Sequence, residues 1–234
     1  MESADEINVR AVIINYGTPH LTQRAVWSLR SLYPHLPITV VDNASPDDSL
    51  SQFRALQQEM RLLEIVACER NLHHGPGLDF AIRRTDAPWV LTFDSDCIAY
   101  RRDFLEQMLQ LAESRSAYMV GSIRNVADTG YPAERTSATS HQYVHPKCAL
   151  VRRSTYHTLQ PFEKHGAPCL TNQIQATRQG KSLIHFPVED FVFHQSRGTV
   201  EHVGYQLGWR GALNKLRHWG RRLKHALSQS LPTR

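Results

Sequence analysis

Four short apolar runs, Val9–Asn15 (VRAVIIN), Ile38–Asp42 (ITVVD), Leu62–Ala67 and Trp89–Phe93 (WVLTF), end in polar residues and alternate with stretches of helical spacing. Such alternation dictates a parallel sheet, because a strand rejoins its neighbour in the same direction only across a helix, and that crossover is right-handed. Thr18 can cap a first helix with Pro19 at its first position. Leu21, Ala25, Leu29 and Leu32 then give the helix one apolar stripe. Ser45-Pro46-Asp47-Asp48 opens a second helix running to about Met60, and Gly75–Arg84 reads as a third. The expected fold class is α/β, Rossmann-like, with a central mainly parallel sheet and helices on both faces.

The stretch Pro88–Tyr100 (PWVLTFDSDCIAY) carries most of the chemistry. Its apolar half stops at Asp94 and Asp96, which alternation along a strand would send to the same side. Two hard oxygen ligands facing one way suit Mg²⁺ or Mn²⁺, whose shells are completed by water and substrate phosphates. The plainer reading is a solvated turn before a helix near Asp103. In an open α/β sheet, however, ligands collect at the carboxyl ends of strands. The other strand ends carry Asn15-Tyr16, Asp42-Asn43 and Arg70-Asn71. A pocket of aromatic, carboxylate, amide and cation suits a nucleotide, with Tyr16 and Asp42 on the nucleoside and Arg70 with a metal on the phosphates. No G-x-x-x-x-G-K-[ST] loop and no G-x-G-x-x-G after the first strand supports a P-loop or dinucleotide site.

The order AVIINYG, VVDNASPDDS, ERNLHHGPGLDFAI, WVLTFDSDC resembles the nucleotide-sugar-binding half of family-2 glycosyltransferases of GT-A fold over roughly the first 100 residues. The resemblance implies a hexosyltransferase-like, inverting enzyme using a nucleotide diphosphate sugar, with a glycan or lipid-linked acceptor, in cell-surface polysaccharide or glycoconjugate synthesis. It implies nucleotide-sugar contacts from Asn15, Tyr16, Asp42, Arg70, Asn71, Asp79, Asp94 and Ser95. It makes Asp94 and Asp96 the metal-binding Asp-x-Asp, and His194, which ends an apolar strand, the third ligand of Mn²⁺ or Mg²⁺. Arg197, with the Gly198 and Thr199 amides, would meet the diphosphate. His73 departs from the glycine of many relatives, and His73-His74 reads as a loop pair.

A larger departure concerns the catalytic base. Inverting relatives carry an acidic pair at the start of a helix that here begins Pro168-Cys169-Leu170-Thr171-Asn172. Glu163, His165, Glu189 and Asp190 lie nearby in sequence, and Asp190 and Glu163 are the candidates taken, against a plain role as surface charges. A retaining mechanism, or a nucleotide-sugar-binding protein without transfer activity, is the alternative. A nucleotidyltransferase is disfavoured by the missing glycine-rich opening after Asn15.

The second half reads as strands Tyr118–Arg124 and Pro146–Arg152, a helix Pro168–Gly180, and strands Leu183–Pro187 and Phe191–His194. A polar segment, Asn125–Ser140, is long enough to be an acceptor-side lid. The 234 residues, 41% hydrophobic and 21% charged, divide into a domain at 1–208, with halves 1–100 and 101–208, and a tail at 209–234. Four scattered cysteines without C-x-x-C spacing read as reduced thiols. No basic patch precedes an apolar run at the N-terminus and no run approaches the ~20 apolar residues of a bilayer span, so the expected location is cytoplasmic. The net charge of +5 has its excess at the C-terminal end. There Trp209, Leu213, Leu216, Leu223 and Leu227 recur at helical spacing among arginines and lysines. Such a basic amphipathic helix either lies peripherally on anionic lipid or packs its leucines on the domain. Nucleic acid is the less favoured partner, since aromatics and cations are not interleaved elsewhere.

Overall fold

Alternation along the first strand sends Val9, Ala11 and Ile13 into one apolar cluster and Val12 into another. A strand covered on both faces is what a continuous apolar run predicts. The computed structural model describes residues 8–135, 140–163 and 167–195. Its first half runs β1 (Val9–Asn15), α1 (Pro19–Leu32), β2 (Ile38–Asp42), α2 (Ser49–Glu59), β3 (Leu63–Ala67), α3 (His74–Arg84) and β4 (Trp89–Phe93). It continues through β5 (Cys97–Ala99), α4 (Phe104–Ser114), β6 (Ala117–Val126), β7 (His141–Arg152), α5 (Arg153–Tyr156), α6 (Leu170–Arg178), β8 (Ser182–His185), a 3-10 turn at Val188–Asp190, and β9 (Val192–His194).

Seven strands form one sheet in the order β3-β2-β1-β4-β7-β6-β8. Strands β1 to β4 are parallel to one another, and β8 is parallel to β6. Only β7 runs against its neighbours, β4 and β6. The mainly parallel sheet read from the sequence is therefore present. Helices α1, α2 and α4 bury Leu29, Phe53 and Met108 on one face. Helices α3, α5 and α6 bury Leu78, Tyr156 and Leu170 on the other.

Several boundaries differ from the sequence reading. Strand β7 begins five residues before the expected Pro146, because it pairs along the far half of β6, from Ile123↔Val144 to Val126↔His141. Of the expected lid, Asn125 and Val126 belong to β6 and the connection to β7 spans 127–140; Val126 bridges Pro132, and residues 136–139 lie outside the description. The chain after Asp96, which the plainer reading made a solvated turn, enters β5, which pairs with β9 in a separate two-stranded sheet. Thr18 stands at the N-cap position of α1 without capping it: its hydroxyl is directed at Asn15 Oδ1, 3.4 Å away.

Gly121 marks the place where β6 and β7 shift register. A Cβ there would lie 2.8 Å from Val144 Cγ1 and 3.1 Å from the Cys148 carbonyl oxygen, so the strands approach too closely for any side chain. Gly121→Ala is expected to lower stability by ~1–3 kcal/mol through overpacking. A urea midpoint equal to wild type would show that the strands part without cost.

Candidate active site

The sheet order reverses between β1 and β4, the first leading on to β2 and β3 and the second lying on the other side. Open α/β sheets form their ligand crevice at that switch point, outside the carboxyl ends of the strands. Asp94 follows β4 there. Its amide donates to the Lys147 carbonyl at 2.8 Å, and its own carbonyl accepts from the Cys97 amide at 3.0 Å. This closed turn, rather than strand alternation, carries Asp94 and Asp96, because β4 has already ended at Phe93.

The turn feeds β5, whose Cys97 stands opposite His194 of β9, and the Gln195 amide donates to the Asp96 carbonyl at 3.0 Å. The imidazole consequently arrives beside the acids, with Nε2 3.2 Å from Asp96 Oδ1 and 4.0 Å from Asp94 Oδ2. His74, the first residue of α3, approaches from the other side, its Nε2 3.3 Å from Asp94 Oδ1. His145 on β7 has its ring centroid 6.1 Å from that of His194.

These neighbours set the charges. Burial favours a neutral Asp94, but the hydrogen bond and charge of His74, with the charge of His194, bring its carboxyl down to about 2. His194 is raised by its hydrogen bond to Asp96. Burial pushes His145 down to about 3, which suits the Lys147 amide donating to its Nδ1 at 3.1 Å. The fold thus keeps Asp94 ionised and His145 neutral. Asp96 is 8% exposed, so carboxylate and imidazole form a sheltered cluster of hard oxygen and borderline nitrogen donors. That set fits Mn²⁺ well and Mg²⁺ less tightly. Atoms of Asp96, Cys97 and His194 also lie within 4.8 Å of one another. Burial raises the Cys97 thiol well above its usual range and its Sγ faces the Lys147 carbonyl at 3.5 Å, so it is a packed thiol rather than a thiolate donor.

Of the residues assigned to the nucleotide sugar, Asn15 is fully buried. Its amide nitrogen donates to Asp42 Oδ1 at 3.1 Å and Ser45 Oγ at 2.9 Å, and its oxygen accepts the Thr22 hydroxyl at 2.7 Å. Asn15 thus braces the ends of β1 and β2 against the loop at Ser45 and the start of α1. Asp42 is 3% exposed; its Oδ1 is held by Asn15 and Ser45, and its Oδ2 accepts the Ser45 amide at 3.3 Å. Asn71 Oδ1 accepts from Asn43 Nδ2 at 3.0 Å and the His73 amide at 2.7 Å, tying the loops after β2 and β3 together. Tyr16 is partly buried, Arg70 is exposed and Ser95 is buried at the same edge. Asp79 is engaged by Tyr156 and, at 2.8 Å, by Arg83, which makes it a link between α3 and α5. Arg197, Gly198, Thr199 and the basic tail from 209 lie outside the described residues.

At the start of α6, where the family pattern has acids, Asn172 and Gln173 are fully buried. Asn172 accepts the Tyr118 hydroxyl at 2.6 Å, and Gln173 bonds both backbone groups of Val144 at 2.8 Å. These amides tie α6 to the sheet and offer no base. Glu163, Glu189 and Asp190 are all exposed, so exposure does not choose among them. The carboxylate fixed at the crevice is instead Glu189: Oε1 accepts Lys147 Nζ at 2.6 Å and Ser122 Oγ at 3.0 Å, while Tyr100 donates to its carbonyl at 2.7 Å. Burial would raise its carboxyl, but the hydrogen bond and charge of Lys147 hold it below the ordinary range.

Sequence reasoning set His74 aside as half of a loop pair and passed over Lys147. His74 reaches the site from the start of α3 and Lys147 from the middle of β7, elements whose neighbours in space are remote in sequence. One local signal existed for His74: His73, in the place of a family glycine, has φ 67 and ψ 175, a conformation that normally favours glycine.

The sequence profile of Glycosyl transferase family 2 matches residues 11–182. Among solved structures, the mannosyltransferase PcManGT from Pyrobaculum calidifontis, in complex with GDP-Man and Mn²⁺, superimposes with a TM-score of 0.61 at 18% identity, covering 77% of this chain and 55% of that one. TarS 1–349 of S. aureus gives a TM-score of 0.59 at 12% identity over 81% of this chain and 60% of that one. Its complex with UDP-GlcNAc gives 0.52 at 16% identity, covering 70% and 52%. At these identities the likeness is one of fold, and the chain spans between half and two-thirds of each neighbour's length. No curated protein matches the chain.

Proposed function

We propose, because the chain belongs to glycosyl transferase family 2, that it transfers a sugar from a nucleotide diphosphate sugar to a hydroxyl acceptor, with inversion, aided by Mn²⁺ or Mg²⁺. The observation that carries this reading is the convergence of Asp94, Asp96 and His194 within 3.2–4.0 Å at the switch point of the sheet. These residues would hold the cation, which when bound supplies charge to the diphosphate leaving group. Tyr16, Asp42, Arg70, Asn71 and Ser95 form the donor surface in this reading, with Asn15 and Asp79 supporting it from behind. The complexes of the neighbours with GDP-Man or UDP-GlcNAc support a nucleotide-sugar donor in kind. The acceptor, glycan or lipid-linked, approaches across β6 and β7.

Inversion requires a base within reach of the acceptor hydroxyl. Asp190 and Glu163 remain sequence candidates, and we favour Glu189, which Lys147 and Ser122 hold at the crevice. The acceptor proton passes to this carboxylate, the hydroxyl oxygen bonds to the anomeric carbon, and the bond to the diphosphate breaks with its electron pair. The amides at the start of α6 favour a second reading, donor binding without transfer. An acceptor near the membrane and a cytoplasmic setting also belong to the proposal; no helix among the described residues is long and apolar enough to cross a membrane.

Calorimetric titration of UDP, GDP and their sugars, with and without Mn²⁺, tests the donor site in wild type and Asp96→Asn. One nucleotide is expected to bind only with the ion and to lose that binding in the variant. No binding by any of them would leave the donor reading without support.

A further inference from the structure

We propose that His74 is a positioning residue of the cation centre, holding Asp94 by Oδ1 so that Oδ2 is presented toward Asp96 and His194. The inference rests on the cation reading above. Its observation is the arrangement of one carboxylate between two imidazoles: His74 Nε2 lies 3.3 Å from Oδ1 and His194 Nε2 4.0 Å from Oδ2. A carboxylate after a strand end rotates about two side-chain bonds, and a donor on one oxygen removes that freedom and selects the other oxygen for the ion.

The surroundings of His74 make it a rigid donor. The His73 carbonyl accepts the Gly77 amide at 3.0 Å and Asn43 Nδ2 at 3.3 Å, while the His73 amide is bound by Asn71. The first turn of α3 is thus fastened to both loops of the donor side. Gly77 lets that turn press on β1, since a Cβ there would already sit 3.3 Å from Ile14 Cγ2. His74 therefore links the loops after β2 and β3 to the acid after β4. Loosening those loops would be felt at the cation, although neither contributes a ligand.

The test uses Mn²⁺ alone, followed by loss of the free-ion electron paramagnetic resonance signal, on the full chain. His194→Ala and Asp96→Asn are expected to abolish binding. His74→Ala should weaken it by about 10- to 100-fold, the usual effect of removing a group that orients a metal ligand. His74→Gln, which retains an N–H donor, should recover part of the loss, and circular dichroism should show all variants folded. Spin-echo modulation should report one coordinated imidazole in both wild type and His74→Ala. Two imidazoles in wild type would make His74 a ligand and overturn the positioning role. Wild-type affinity in His74→Ala, with binding lost in Asp96→Asn, would overturn the inference while leaving the cation site standing. Equal affinity in every variant would remove the cation reading itself.

Discussion

Glu189→Gln is expected to lower turnover by roughly 10²- to 10⁴-fold, the range for loss of a positioned proton acceptor. The measurement is release of nucleoside diphosphate from the donor identified by calorimetry, with Asp190→Asn and Glu163→Gln in parallel. The substitution suits the purpose because an amide oxygen can still accept from Lys147 and Ser122, which bond this side chain at 2.6 and 3.0 Å. It removes the capacity to take a proton and leaves the shape. Donor affinity should therefore remain near wild type, placing the loss in the chemical step. Glu189→Gln turning over at the wild-type rate, with Asp190→Asn or Glu163→Gln impaired, would return the role to the residues chosen from sequence. If donor binding is intact and no variant, nor wild type, releases product, the binding-only reading gains.

The second large effect concerns stability. Asn15 is a fully buried hub whose amide satisfies Asp42, Ser45 and Thr22. Removing it leaves an almost fully buried carboxylate short of a donor and two hydroxyls to re-pair. Asn15→Ala should cost about 2–4 kcal/mol, the sum of a charge-assisted hydrogen bond and the desolvated groups left behind. Asn15→Asp should cost more, since it sets two buried carboxylates against each other. One of them must hold a proton in the folded state, so its folded pKa lies above its unfolded value. That penalty is small at pH 4 and grows as pH rises above the unfolded carboxyl pKa. Urea midpoints at pH 5 and pH 8 should separate for Asn15→Asp and shift together with wild type for Asn15→Ala. A midpoint for Asn15→Ala equal to wild type would restore Asn15 to the ligand surface and deny it the supporting role.

Local pattern sufficed for the first half of the fold. Apolar runs of five to seven residues, bounded by caps and polar turns, specify β1 to β4 within a residue or so, because period-two burial and helical stripes are short-range properties. Asp94 and Asp96 stand out in the sequence because they follow the end of an apolar run, His194 is singled out by the resemblance, and the fold places the three side chains near one another. What the sequence by itself could not determine is which side chains share a space. Strand β7 runs against its neighbours, so the Lys147 carbonyl lands on the Asp94 amide just past the end of β4, although the two are far apart in the chain. The same pairing lets Lys147 select Glu189 over Asp190, a choice between consecutive residues that the facing of a single 3-10 turn decides. From the sequence, Asn15 is a nucleotide contact implied by the resemblance, and Asn172 stands where relatives carry an acid. Burial turns both into struts, since inside a protein an amide must find partners and the nearest ones are protein groups. Secondary structure and the strand-end chemistry are encoded locally. The partners of each charge are settled only when the sheet closes, since hydrogen bonds and ion pairs depend on distances across strands that no spacing along the chain records.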